Sequence, residues 1–278
     1  MISMAEIVEK IEYLPMFDET AQKALIAIQK EDYSISELTE VIKYDPALTA
    51  NILKVANSAY YAHSKKINNI STAINYLGKE QLFSIIAVSA SKKYFLEMIE
   101  GYEENNGELW EHNLAVAMIS KELKTLEPIV DENDLFIAAL LHDIGKVILG
   151  SYVKRKRGIV INLIETGNDF ISVEKKVFGF THPKIGAAIL KRWNFSKDVV
   201  HAVKYHHDQD HWNRPITRVV ALSDYFSQLI GKMSQKDALA YKGYDKLLLR
   251  YKINSQQLEK LLSDTLEKIN FAMSVYKN

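Results

Sequence analysis

The chain has 278 residues, 47 % apolar and 25 % charged, which excludes extended disorder and gives enough length for one large domain or two modest ones. Thirty-five Lys and Arg balance thirty-five Asp and Glu, so long-range attraction to nucleic acid or an anionic membrane is not the expected driving force. The absence of cysteine excludes disulfides, thiolate metal sites, iron–sulfur clusters and cysteine nucleophiles, so any metal must sit on nitrogen and oxygen.

The opening Met1-Ile2-Ser3-Met4-Ala5-Glu6 lacks the basic flank and apolar run of a secretory signal, and no later stretch of about eighteen apolar residues follows, so a cytoplasmic protein is expected. Only five prolines and eleven glycines punctuate the chain, with no glycine before Gly78, which fits many short helices. Ser34 precedes Glu37 in capping-box spacing, and Ile35, Leu38, Val41 and Ile42 form one apolar face. Asp45-Pro46 opens the next helix, whose buried side is Leu48, Ile52, Leu53 and Val55. Gly78 separates the run ending at Leu77 from a second run through Leu82, Ile85, Ile86 and Val88.

Gly-Tyr-Glu-Glu-Asn-Asn-Gly at 101–107 interrupts the apolar pattern and divides the chain into a lobe of residues 1–103 and a lobe of residues 104–278. Beyond it, Leu114 to Leu126 and Leu135 to Leu141 read as helices, the second led by Asp131 and Asp134. Gly158-Ile159-Val160-Ile161 admits either a short strand or a helix. Thr181-His182-Pro183 and Ser196 each start a helix, the second ending near His207. The tail from Ser255 carries Leu258, Leu261, Leu262, Leu266 and Ile269 on one stripe, as a packed terminal helix does.

Six of the eight histidines fall between His112 and His207. In Leu140-Leu141-His142-Asp143-Ile144-Gly145-Lys146 an apolar helix delivers adjacent imidazole and carboxylate groups, and a glycine then lets the chain turn. His112, His142, Asp143, His182, His206, His207 and Asp224 are the candidate ligands, enough for one or two ions bridged by one carboxylate. A mixed imidazole and carboxylate set favours a divalent transition metal, with iron, manganese, zinc and nickel all compatible. Paired ions bind phosphate oxygens and acidify water between them, so phosphoester hydrolysis is the natural chemistry.

The sequence resembles the HDOD proteins, relatives of the HD phosphohydrolases that serve as signalling output domains. The resemblance spans roughly residues 10 to 230. It rests on Leu14-Pro15, Asp45-Pro46-Ala47-Leu48, Leu53-Lys54-Val55-Ala56-Asn57-Ser58 and Ala73-Ile74-Asn75-Tyr76-Leu77-Gly78 in the first half. Trp110-Glu111-His112, Leu141-His142-Asp143-Ile144-Gly145, His182-Pro183-Lys184-Ile185-Gly186, Trp193 and His206-His207 carry it in the second. It implies an all-α fold with an N-terminal helical lobe and an HD-like helical lobe bearing a C-terminal helical extension. His112, His142, Asp143 and Asp224 match the HD-superfamily ligand order, and His182, His206 and His207 look like the additional histidines of the two-metal HD-GYP relatives.

Many HDOD proteins are thought to have lost these ligands and to act through protein contacts, so two readings follow. In the first, a metal-dependent phosphohydrolase or phosphodiesterase takes a phosphoester or nucleotide substrate, with Asp143 and Lys146 catalytic. Lys146 matches the lysine after the HD motif in those enzymes and would offset phosphate charge. Cyclic di-GMP is only a candidate, because His206-His207 is not followed by a Gly-Tyr-Pro element. In the second, an inactive signalling module binds a regulatory protein partner, and His142 with Asp143 is a buried pair that orients helices. His201 and His211 read as surface or packing residues, His63 as unrelated to the centre, and Lys154 to Arg157 and Lys65-Lys66 as solvated charge. Asn57 and Ser58 read as a cap or turn, and Trp110 and Trp193 as core.

Overall fold

The computed structural model describes residues 2–61, 66–95, 102, 107–232 and 244–276, and among them every regular element is a helix. In chain order these are α1 (Met4–Tyr13), α2 (Glu19–Gln29), α3 (Ile35–Ile42), α4 (Pro46–Ala56), α5 (Ile70–Phe95), α6 (Glu108–Leu123), α7 (Glu132–Leu141) and α8 (Lys146–Arg155). They continue as α9 (Arg157–Glu165), α10 (Phe170–Phe178), α11 (His182–Arg192), α12 (Lys197–Tyr205), α13 (Pro215–Leu229), α14 (Tyr244–Tyr251) and α15 (Ser255–Tyr276). The all-α expectation therefore holds. The break after residue 103, His63 and Lys65 lie outside the described residues. The chain folds as two compact units, one of Met1–Pro15 with Tyr94–Ile269 and one of Met16–Lys93 with Asn270–Asn278.

In the smaller unit, polar caps start each helix. Asp18 accepts the Ala21 N–H, Ser34 the Glu37 N–H and Asp45 the Leu48 N–H, with Pro46 in the first turn where its missing donor costs nothing. Gly78, at φ 75° and ψ 170°, breaks α5 into two arms, a conformation that a residue with a Cβ resists. Asn57 fastens the junction after α4: its Oδ1 accepts the Ile67 N–H and its Nδ2 donates to the Ile67 carbonyl, both at 2.7 Å. Ile28, Leu38, Ile42, Ile52 and Ile74 are fully buried between these helices.

The larger unit is built on α7. Every residue from Leu135 to Leu141 is buried, so this helix is apolar all round and must sit at a centre. It packs on α6, α12 and α13, while α13 also meets α6 and α12, and α11 lies on α12. The stretch Glu132–Arg155 is apolar enough by composition to cross a membrane, yet 89 % of that window is buried inside the fold. It is also broken by a turn at residues 142–145. Trp193 closes this core at 0 % exposure.

Two readings of glycine-containing segments resolve here. Gly158 to Ile161 lies in α9, with Val160 buried and Ile159 56 % exposed, so only one side of the helix needs to be apolar. Gly145 has an ordinary helical φ of −66° and is not required for the turn. It is required for close approach, because a Cβ there would stand 2.0 Å from the His182 carbonyl oxygen and 2.7 Å from Gly186 N.

Candidate metal centre

The seven residues singled out by the sequence come together inside the larger unit, carried by α6, α11, α13 and the ends of α7 and α12. His112 lies within α6, His142 and Asp143 in the turn that ends α7, and His182 at the first position of α11. His206 and His207 leave α12, and Asp224 lies on α13. Two groups form. Donor atoms of Asp143, His182, His206 and His207 lie within 4.8 Å of one another, and so do those of His112, His142 and Asp224. Donors bound about 2.0–2.2 Å from an ion stand at most about 4.4 Å apart, so a small inward shift would suit either group to coordination.

Asp143 joins the groups through its two oxygens. Its Oδ2 is 3.6 Å from His112 Nε2 and 3.5 Å from His142 Nε2, whereas its Oδ1 is 3.1 Å from His182 Nε2 and 3.9 Å from His206 Nε2. Asp224 spans them similarly, with Oδ1 3.3 Å from His112 Nε2 and Oδ2 3.9 Å from His207 Nδ1. The helix ends make this possible. The first groups after a helix are not bound into its ladder, so His142 and His206 each turn back and donate Nδ1–H to a carbonyl three residues earlier. These bonds run to Ala139 O at 2.8 Å and Val203 O at 2.7 Å.

His112 Nδ1 donates to the Lys232 carbonyl at 2.9 Å, and His182 Nδ1 to Glu174 Oε1 at 2.8 Å. With four Nδ1 atoms engaged outward, the four Nε2 atoms face inward, where each neutral ring presents a lone pair. His112 Nε2 and His142 Nε2 stand 3.2 Å apart, an arrangement that a cation or shared proton must relieve. Among the described residues His206 Nε2 is buried without a hydrogen-bond partner, and Asp143 Oδ1 and His182 Nε2 have only each other, at 3.1 Å. Buried polar atoms left this way are costly, so the donor set fits a divalent transition metal.

Electrostatics pull the imidazoles apart. Burial opposes charge on His182, but the Glu174 and Asp143 carboxylates outweigh it and push its pKa up to about 9. Burial is likewise overcome at His112, whose pKa is raised by Asp224 and Asp143. At His142 burial prevails and lowers the pKa, and at His206 burial together with His207 and its neighbours holds it well below the ordinary value. Burial would raise the Asp143 carboxyl, but Lys146, His142 and His182 hold it well below the carboxylate range.

Lys146 is fully buried, with Nζ 2.7 Å from Asp143 Oδ2 and 5.5 Å from the Tyr102 ring centroid. The spacing between motifs did not point to Glu174. It accepts the His182 backbone N–H at 2.7 Å as well as the ring N–H, and the Tyr102 hydroxyl donates to it at 2.5 Å. The signal was present on α10, where Glu174 falls at helical spacing among buried Phe170, Val173, Val177 and Phe178. A carboxylate on an apolar stripe must have a buried partner. His201 and His211 stand apart from both groups and pack on Tyr205, His211 stacking on it at 3.9 Å. Lys154, Arg155 and Arg157 are exposed.

A family model for the HDOD domain matches residues 14–209, and the chain belongs to this family. It is 23 % identical to an HDOD domain protein of unknown function from Geobacter sulfurreducens, with TM-score 0.74 over 98 % of this chain and 97 % of that one. A candidate metal-dependent phosphohydrolase from Shewanella amazonensis SB2B is 21 % identical with TM-score 0.66, over 95 % of each chain. At such identities the likeness establishes the fold. An uncharacterized protein of Treponema pallidum (strain Nichols) is 22 % identical over 95 % of this chain, which spans about half that relative's length, 51 %.

Proposed function

We propose that this HDOD chain holds two divalent transition-metal ions and hydrolyses a phosphoester in a signalling context. The observation that carries this reading is Asp143, whose two oxygens face two different groups of inward-pointing imidazole nitrogens. His112, His142 and Asp224 would hold one ion and His182, His206 and His207 the other, with Asp143 shared. Ions paired in this way polarise a phosphoryl oxygen and acidify water. The name of the Shewanella protein, a candidate metal-dependent phosphohydrolase, agrees with this assignment.

The chain's own residues do the rest. The four Nδ1–H bonds orient four of the five imidazoles, so little reorganisation is needed when a ligand arrives. Lys146 keeps the Asp143 carboxylate ionised and oriented. Its ammonium supplies a fixed positive charge in a water-poor interior, where it offsets negative charge developing on phosphoryl oxygen. A second reading, an inactive module that binds a signalling protein, draws on the same contact: the ammonium already gives Asp143 a cation, so the pair can serve as a helix clamp.

The deciding experiment is elemental metal content per chain after purification without chelator or immobilised-metal resin, on wild type and His142→Ala together, followed by a phosphoester screen. Two ions per wild-type chain, lost or reduced in number in the variant, with turnover of a phosphoester, support the proposal. A wild type that stays metal-free after reconstitution overturns it and leaves the partner-binding module.

A further inference from the structure

A cavity of about 460 Å³ opens in the larger unit beside the candidate centre, with His207 in its wall. Its volume lies in the range of small-molecule sites. Three helices each bring a lysine to it: Lys175 from α10, Lys184 from α11 and Lys204 from α12. All three are exposed, and among the described residues none of them forms a salt bridge. The acidic groups of the same wall are differently placed. Asp169 is committed to capping α10, where it accepts the Ser172 N–H and O–H at 2.8 Å each. Asp208 caps the turn at Gln209 and lies 2.9 Å from His211 Nδ1. The wall thus balances three carboxylates against three ammonium groups, but two of the carboxylates are pinned by their caps, whereas the lysines, without salt bridges, can turn toward an anion.

The centre already contains its own positive charge in buried Lys146, so the outer lysines are not needed at the reacting phosphorus. Stacking on Tyr205 is unavailable on one face, because His211 lies parallel to its ring at 3.9 Å with an interplanar angle of 8°. Lys204 Nζ also sits 4.6 Å from the Tyr205 ring centroid, so charge is what the three lysines offer a ligand at this end. We propose that the cavity receives a phosphoester carrying a second anionic group, and that Lys175, Lys184 and Lys204 hold that second group. The inference rests on the phosphohydrolase reading for the identity of the first group only.

The test is calorimetric titration of the full chain, chelated and metal-reconstituted, with adenosine 3′,5′-bisphosphate and with AMP. Wild type and a triple variant, Lys175→Ala, Lys184→Ala and Lys204→Ala, are compared. In wild type the bisphosphate binds about tenfold tighter than AMP, in at least one of the two forms, and the preference shrinks as salt rises. The triple variant keeps wild-type metal content and loses the preference. Equal affinity for the two probes, no binding of the bisphosphate, or a preference that survives in the triple variant overturns the inference. Metal content separates the two ideas: a chain without metal that still shows the lysine-dependent preference sinks only the hydrolase, and a metal-loaded chain without it sinks only the lysine site.

Discussion

Glu174 grips His182 at two points, with Oε1 2.8 Å from the ring Nδ1 and Oε2 2.7 Å from the backbone nitrogen. The first bond fixes the tautomer that leaves Nε2 facing Asp143, and the second ties the carboxylate to the start of α11, where backbone N–H groups are unclaimed. Glu174 touches no inward-facing donor atom directly and acts by positioning. Glu174→Gln keeps the shape and removes the charge. Metal affinity should fall about 10–100-fold in competition against a chromophoric chelator, while the far-UV spectrum and melting cooperativity stay those of wild type. Unchanged affinity would mean that His182 is oriented by packing alone.

Gly145 sets how closely the turn after α7 approaches α11. A methyl group there would meet the His182 carbonyl oxygen at 2.0 Å, and backbone cannot step aside as a flexible side chain can. Gly145→Ala should cost about 3 kcal/mol or more. The displaced element carries His182, so metal content should fall together with the melting temperature. A variant that melts like wild type would show that α11 can slide, and that the tight crossing is not what places His182.

The helix starts were legible because each cap is a local event. Ser34, Asp45 with Pro46, Asp131 and Ser196 each accept an N–H three residues on, within reach of a single turn. The ligand residues were legible as types and motifs, but their two-group arrangement depends on how α6, α7, α11, α12 and α13 pack, which no spacing encodes. Gly145 was misread because a glycine next to a turn suggests a backbone demand, whereas its actual role lies in a contact with residues 182 and 186, distant in sequence. Gly158 to Ile161 stayed ambiguous because a four-residue run of this kind fits a strand as well as one side of a helix.

Away from the centre, Arg218 joins three parts of the larger unit. It donates to the carbonyls of Trp212 at 2.9 Å and Asn213 at 2.8 Å, and its Nε lies 3.0 Å from both Glu127 Oε1 and the Tyr251 hydroxyl. Burial tends to raise the Glu127 pKa, but the hydrogen bonds from Arg218 and Tyr251 lower it below the ordinary value of 4.5. A carboxyl whose folded pKa is depressed adds stability above its unfolded pKa and loses it as pH falls through the folded value. Glu127→Gln should therefore melt a few degrees below wild type at neutral pH, a modest gap because the group is partly exposed. The gap should close as melts are repeated from about pH 4.5 downward. A gap that is independent of pH would assign the loss to packing.

Lys146 and Asp143 form an ion pair at 2.7 Å with both side chains buried, and removing one member of such a pair strands the other charge. In metal-free protein, Lys146→Met should cost about 3–5 kcal/mol. An ion held by Asp143 would return a cation to the same carboxylate, so saturating metal should raise the melting temperature of Lys146→Met by more than it raises that of wild type. The comparison of four melts, each protein with and without metal, forms a cycle whose interaction term isolates this substitution of one cation for another. A metal-induced rise that is equal in the two proteins would mean that ammonium and metal do not share Asp143, and the bridging role assigned to that carboxylate would have to be withdrawn.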